Sequence, residues 1–103
     1  MKVTVLHVAD CPNVAVALER TRAAAAELGL EVDLDEILVE DESEAARLGF
    51  AGSPTILIDG DDRFAEGTAD PSLACRLYRT PSGLQGAPSV ANLAVALADA
   101  PTG

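Results

Sequence analysis

The period of apolar and polar positions changes several times along the chain, and each change predicts an element. Val3 to Val8 is a run of mostly β-favouring residues without strict polar alternation, the pattern of a strand covered on both faces. Pro12 follows where a first helical turn accepts proline, because its missing N–H would lack a partner there. Val14, Leu18, Ala25 and Leu28 then recur at helical spacing, with Glu19, Arg20, Arg22 and Glu27 available for the wet side. Gly29 stops this helix, since glycine accepts the positive φ of a helix end. Leu30, Val32 and Leu34 alternate with Glu31, Asp33 and Asp35, which describes a strand with one wet face. Ile37, Leu38 and Val39 shift that phase and predict a bulge or an early end.

Asp41 precedes Glu44 by one helical turn, a capping-box-like opening to a short helix through Ala45, Ala46 and Leu48, closed by Gly49. Thr55-Ile56-Leu57-Ile58 reads as a second covered strand. Asp59-Gly60-Asp61-Asp62 is turn chemistry, and Arg63-Phe64-Ala65 is expected to be the return arm of a hairpin. A Gly- and Pro-punctuated stretch from about residue 67 to 88 reads as an irregular insertion holding one apolar patch, Leu73 to Tyr78. Ser89 caps a last helix through Val90, Leu93, Ala94 and Leu97, which Pro101 stops. The order β-α-β-α-β-β-α, with a right-handed crossover between the first two strands, predicts one α/β domain over residues 1–100. Its expected architecture is a four-stranded mixed sheet with helices on both faces.

Composition supports a self-sufficient core. The chain has 103 residues, 49% of them hydrophobic, with only two Phe, one Tyr and no Trp, so small aliphatic side chains fill the interior. The formal net charge is −10, from 17 acidic and 7 basic residues. Phosphate backbones repel such a surface, which excludes nucleic acid as the expected partner and disfavours an anionic membrane. The apolar run at the N-terminus is too short for a signal peptide, and no stretch reaches the length of a membrane span. A cytoplasmic location is therefore expected, where thiols stay reduced and cysteines serve chemistry more often than cross-linking.

Two cysteines, Cys11 and Cys75, are the candidate chemistry. Cys11 falls between the first strand and the first helix, where unpaired N–H groups and the helix dipole favour a thiolate, while the neighbouring Asp10 opposes it. The alternative is that Cys11 is a small buried hydrophobe. Cys75 has two readings. If Cys75 to Tyr78 is the last strand, the two sulfurs lie at opposite ends of the sheet. If Arg63 to Ala65 is the last strand, the insertion emerges near Cys11 and Cys75 can fold back to it. His7, the only histidine, reads as a satisfied core residue. One His and two Cys do not make a conventional zinc site, although two thiolates that met would suit Cu(I) or Hg(II). Arg76 and Arg79 are candidates to hold an anionic substrate such as a glutathione-like carboxylate.

The Cys11-Pro12-Asn13-Val14 segment after a hydrophobic strand, together with Gly52-Ser53-Pro54-Thr55 running into Ile56-Leu57-Ile58-Asp59-Gly60, resembles the thioredoxin-like superfamily. The latter segment and Cys75-Arg76-Leu77-Tyr78 look closest to a group of small bacterial thioredoxin-like proteins, some selenocysteine-containing or labelled alkylmercury-lyase-like. The resemblance covers nearly the whole chain by element order. It implies a thioredoxin-like sandwich and a cis peptide before Pro54. It also implies a substrate-binding surface of Pro12, Ser53, Pro54 and Thr55 beside a nucleophilic Cys11. Val14 stands where a dithiol motif has its second cysteine, so a reaction of two neighbouring thiols is excluded. What remains is a thiol-disulfide oxidoreductase or thiol-dependent reductase with a one-thiol mechanism, needing no cofactor. A glutathione-like external thiol, or Cys75, would resolve its mixed disulfide. Two other readings stay open: a soft-metal or organomercurial-binding protein using Cys11 and Cys75, and a thioredoxin-fold interaction module without catalysis.

Overall fold

The computed structural model describes residues 1–64 and 76–99. The chain alternates strands and helices: β1 (Lys2–His7), α1 (Asn13–Leu28), β2 (Asp33–Leu38), α2 (Glu42–Leu48), β3 (Thr55–Ile58), β4 (Tyr78–Thr80), β5 (Gly83–Gln85) and α3 (Val90–Asp99). In the main sheet β1 lies between β2 and β3. It runs parallel to β2, with Lys2 opposite Asp33 and His7 opposite Leu38, and antiparallel to β3, with Val3 opposite Ile58 and Leu6 opposite Thr55.

The alternation of β1 assigns its two faces to different cores. Val3 and Val5 point toward α1 and α3, where Val14, Ala17, Ala24, Ala25, Leu93 and Leu97 share one buried cluster with Ile56 and Ile58. Leu6 points the other way, into a cluster with Val39, Phe50 and Ala45 of α2. Helices therefore cover both faces of the sheet, as an α/β chain with a strand buried on both sides requires. Among the described residues no helix is long and apolar enough to cross a membrane.

The helix ends follow local sequence chemistry. The Asp41 carboxylate accepts the Glu44 N–H at 2.7 Å, and the Ser89 hydroxyl accepts the Asn92 N–H at 3.0 Å, so both helices open on side-chain caps. Gly29 takes φ 65° behind α1, and the following Leu30 N–H reaches back to the Ala25 carbonyl at 2.9 Å. That bond explains why β2 begins at Asp33 and not at Leu30: the Leu30 amide closes the helix. The shifted phase at the end of β2 is visible as well, with Ile37 half-buried, Leu38 exposed and Val39 buried.

Two expectations are corrected. Among the described residues the main sheet has three strands, not four, and the other two form a separate hairpin, β4–β5, with Tyr78 opposite Gln85. The expected return arm fails to form because the chain turns too tightly after β3. Asp59 and Gly60 adopt φ 51° and 87°, and a single bridge joins Ile58 to Asp61. The Asp62 carboxylate then accepts the Phe64 N–H at 2.9 Å, a local side-chain bond that takes the backbone out of the strand conformation. Arg63 and Phe64 are turn residues in consequence, and Ala65 lies outside the described residues.

The second correction is Leu28 of α1, which is exposed. The buried stripe consists of Val14, Ala17, Thr21, Ala24 and Ala25, with Leu18 half-buried against the same core, so the expected face holds at Val14, Leu18 and Ala25. Alanines on this face let α1 lie close against α3, and Thr21 is admitted because its hydroxyl donates to the Ala17 carbonyl at 2.7 Å.

Candidate functional site

The connection from β1 to α1 carries Cys11. Val8 to Pro12 leaves the carboxyl end of β1, and Asp10 takes φ 58°, a left-handed turn that Asp tolerates better than most residues. Cys11 is a half-buried free thiol packed against the α1–α3 core cluster. Pro12 is exposed with φ −70° and ψ −15°, a helix-compatible conformation at the start of α1. No acidic residue sits in the first turn of α1, so the partial positive charge of its N–H groups meets no carboxylate there. Val14, in the first turn of α1, is buried in the core.

A second loop abuts this connection. The Ser53 hydroxyl accepts the Val8 N–H at 3.1 Å, which ties the segment before Pro54 to the exit of β1, close in sequence to Cys11. The Ser53–Pro54 peptide is cis. Ser53, Pro54 and Thr55 are all buried, and their polar groups are spoken for. The Ser53 carbonyl accepts the Arg76 N–H at 3.0 Å. The Tyr78 phenol donates to the Pro54 carbonyl. The Thr55 hydroxyl accepts the Ala51 N–H at 2.9 Å and donates to the Gly52 carbonyl at 2.5 Å.

Arg76 is the hub of that arrangement. Its guanidinium meets the Asp62 carboxylate at 2.7 Å and 3.4 Å, and lies 4.5 Å from the centre of the Tyr78 ring. Both partners of the ion pair are largely shielded, with side chains 10% and 14% exposed. Phe64 packs edge-on against Tyr78 at 5.5 Å between ring centres. Gly52 closes the loop at φ 106°, where an added Cβ would stand 2.8 Å from the Arg76 Cβ. Burial pushes the Tyr78 phenol well above its ordinary value, a shift that the nearby Arg76 charge opposes.

Of the residues singled out from sequence, the structure brings Ser53 and Pro54 to the same end of β1 as Cys11; there Ser53, Pro54 and Thr55 are buried, Cys11 is half-buried and Pro12 is exposed, and Arg79 is exposed on β4. Arg76 is committed to Asp62 and Tyr78, which leaves it a poor holder for a substrate anion. Cys75 lies outside the described residues. His7, the last residue of β1, is half-buried, with Nδ1 3.1 Å from the Val8 carbonyl and Nε2 4.0 Å from Glu36. Among the described residues no three His, Cys, Asp or Glu side chains group closely enough to hold a metal ion.

Two contacts near the site had no sequence signal of their own. Gly86 passes so close to Asn13 that a Cβ would lie 2.3 Å from its amide nitrogen. The Arg20 guanidinium donates to the Gln85 side chain at 2.9 Å and to the Pro88 carbonyl at 3.2 Å. Both fasten α1 to the segment between β5 and α3. No family model, curated protein or solved structure matches this chain.

Proposed function

We propose that the chain is a thiol-disulfide oxidoreductase or thiol-dependent reductase of thioredoxin-like type, with Cys11 as its nucleophile. The observation that carries this reading is the position of a free, half-buried cysteine at the carboxyl end of a parallel strand, before the N-terminus of a helix with no acid in its first turn. Further support comes from the β-α-β crossover with an antiparallel third strand, and from the Ser53–Pro54 loop tied to the exit of β1.

The chemistry is disulfide exchange. The Cys11 thiolate attacks one sulfur of a disulfide RS–SR; a Cys11–S–S–R bond forms, the RS–SR bond breaks, and the leaving RS⁻ takes a proton from solvent. A glutathione-like thiolate then attacks the R sulfur, forming a new disulfide with R and returning Cys11 as thiolate. Alternatively Cys75 attacks the Cys11 sulfur, expels RS⁻ and leaves a Cys11–Cys75 disulfide that two external thiols reduce, leaving as their own disulfide. Because Ser53, Pro54 and Thr55 are buried, their part is to position the end of β1, and substrate meets the protein at Cys11 and Pro12. The cytoplasmic setting expected from cysteine usage belongs to the same reading.

Mild oxidation with a small disulfide, followed by alkylation and intact-mass and peptide mapping, tests it. A mixed disulfide on Cys11, reversed by added thiol and lost in Cys11→Ser, is the expected result. A Cys11–Cys75 bridge would name Cys75 as the resolving thiol. Cysteines that react only after denaturation would overturn the reading in favour of a non-catalytic module.

A further inference from the structure

The parallel pairing of β1 with β2 leaves one row of backbone groups unused. In a parallel ladder a residue sends its N–H and its C=O to the same neighbouring strand, and the direction alternates along the chain. The Asp33 N–H donates to the Met1 carbonyl at 2.9 Å and the Val39 N–H to the His7 carbonyl at 2.7 Å, so the odd-numbered residues of β2 face β1. Leu34, Glu36 and Leu38 therefore turn their N–H and C=O groups away from it. Among the described residues β2 is an outer strand of the sheet, with β1 on its paired side. Such an edge is a template for a further strand.

Side chains decide which strand it takes. Glu31, Asp33, Asp35, Glu36 and Glu40 lie along this edge without a Lys or Arg between them, and all five are exposed. The charges fall on both faces. Leu34 packs against the core cluster beneath α1, so Glu36 shares that face, while Asp33 and Asp35 alternate to the face of Ile37 and α2. Two cations approach from β1: Lys2 Nζ stands 3.9 Å from Asp35, and His7 Nε2 stands 4.0 Å from Glu36. Pairs this long, with carboxylates more than half exposed, hold their acids weakly. A second copy of β2 would set acid against acid, and like charges directly opposite destabilise a ladder. A strand carrying Lys or Arg meets the opposite charge on either face. We propose that the outer edge of β2 binds an extended basic peptide segment by strand addition. Its backbone would pair with Leu34, Glu36 and Leu38, and its cations would lie beside Asp33, Asp35 and Glu36. The surface shares no residue with the Cys11 connection and is independent of the redox reading.

Titration of the full-length, ¹⁵N-labelled protein with a capped hexapeptide of alternating Lys and Thr or Val, at low ionic strength, tests the proposal. Saturable amide shifts centred on β2 are expected. Amide exchange should slow at Leu34, Glu36 and Leu38 and change little at Asp35 and Ile37, whose N–H groups already face β1. Asp33→Asn combined with Glu36→Gln, both at exposed positions, should weaken binding about 3- to 10-fold, the order of two exposed charge pairs. The same peptide with Glu in place of Lys, or N-methylated at alternate residues, should not bind. Absence of saturation at millimolar peptide, shifts centred elsewhere, equal binding of the Glu peptide, or unchanged affinity in the double variant would overturn it. Concentration-dependent shifts at the same amides without peptide would overturn it as well, giving the edge to a second copy of the chain.

Discussion

The stretch from Val8 to Pro12 and the stretch from Gly52 to Thr55 meet through one hydrogen bond, yet they are built in opposite ways. The first has exposed Ala9, Asp10 and Pro12, one half-buried thiol, and beyond the bond to Ser53 little bonding: the His7 ring 3.1 Å from the Val8 carbonyl and a 3.5 Å bond from the Val14 N–H to the Cys11 carbonyl. The second is buried throughout, and its carbonyls and hydroxyls are bonded to Arg76, Tyr78, Val8 and Ala51. The difference shows a division of labour. Reactive groups need access and few competing bonds, whereas the surroundings that fix them need burial and complete satisfaction of polar groups. The loop before β3 is the rigid partner, and the Cys11 connection is the open one.

The sharpest way to break the rigid partner is to remove the Asp62 carboxylate. Asp62→Ala leaves the Arg76 guanidinium shielded from water without its counter-ion and removes the acceptor of the Phe64 N–H. Breaking a buried pair by deleting one member costs about 3–5 kcal/mol, so urea denaturation should show a loss of that order. The same variant should raise the alkylation rate of Cys11 in native buffer only modestly, because the bonds of Asp62 and Arg76 run to each other, to Phe64 and to Ser53, and not to Cys11 itself. A large stability loss with a barely altered Cys11 rate would uphold the division; equal effects on both would collapse it.

Local chemistry written in adjacent residues was legible before folding. The Asp41 and Ser89 caps, the Gly29 and Gly49 stops, the double coverage of β1 and the placement of Cys11 at its exit all follow from short-range pattern. Long-range features were not. Asp62 and Arg76 are 14 positions apart and each looks solvated in its own stretch, so nothing in the sequence announces a shielded ion pair. The missing fourth strand has the same origin: Arg63-Phe64-Ala65 has strand-like composition, but the Asp62 side chain captures the Phe64 amide and ends the extension. Along α1 the periodicity places Val14, Leu18 and Ala25 on the core side but overreaches at Leu28 and passes over Ala17 and Ala24, because it weighs leucines over alanines, whereas close packing against α3 selects the alanines. At the candidate site, the Cys11 and Pro54 positions were readable; the burial of Ser53, Pro54 and Thr55 was not, since it depends on Arg76 and Tyr78 arriving from another part of the chain.

Tyr78 offers an intermediate effect with a pH signature. Its phenol ionises in the unfolded chain near 10.0, and burial raises that value in the folded protein. The unfolded state therefore loses its proton first as pH rises. Stability is fully present below about pH 10 and falls above it, by about 1.4 kcal/mol per pH unit while only the unfolded phenol is ionised. Tyr78→Phe keeps the ring against Phe64 and Arg76 but removes the donor to the Pro54 carbonyl. Near neutral pH it should cost about 1 kcal/mol, and above pH 10 its stability should decline less steeply than that of the parent. Parallel denaturation curves at neutral and alkaline pH check this, and equal alkaline slopes would remove Tyr78 as the cause.

The smallest expected effect lies on the open side. Asp10 precedes Cys11, is exposed, and holds φ 58°. Asparagine tolerates that conformation as well as aspartate, so Asp10→Asn should change stability by less than about 0.5 kcal/mol. It does remove a negative charge next to the atom that must become a thiolate to react. Alkylation of Cys11 by iodoacetamide, a neutral reagent, should accelerate about two- to threefold at low ionic strength, and the gain should shrink in 1 M salt, where the screening length is about 3 Å. The salt dependence distinguishes an electrostatic cause from a loosened turn, because a mobile connection would react faster at every ionic strength. If the acceleration survives high salt, the Val8 to Pro12 stretch is held by the Asp10 side chain more firmly than its sparse bonding indicates, and the contrast with the Ser53 loop narrows.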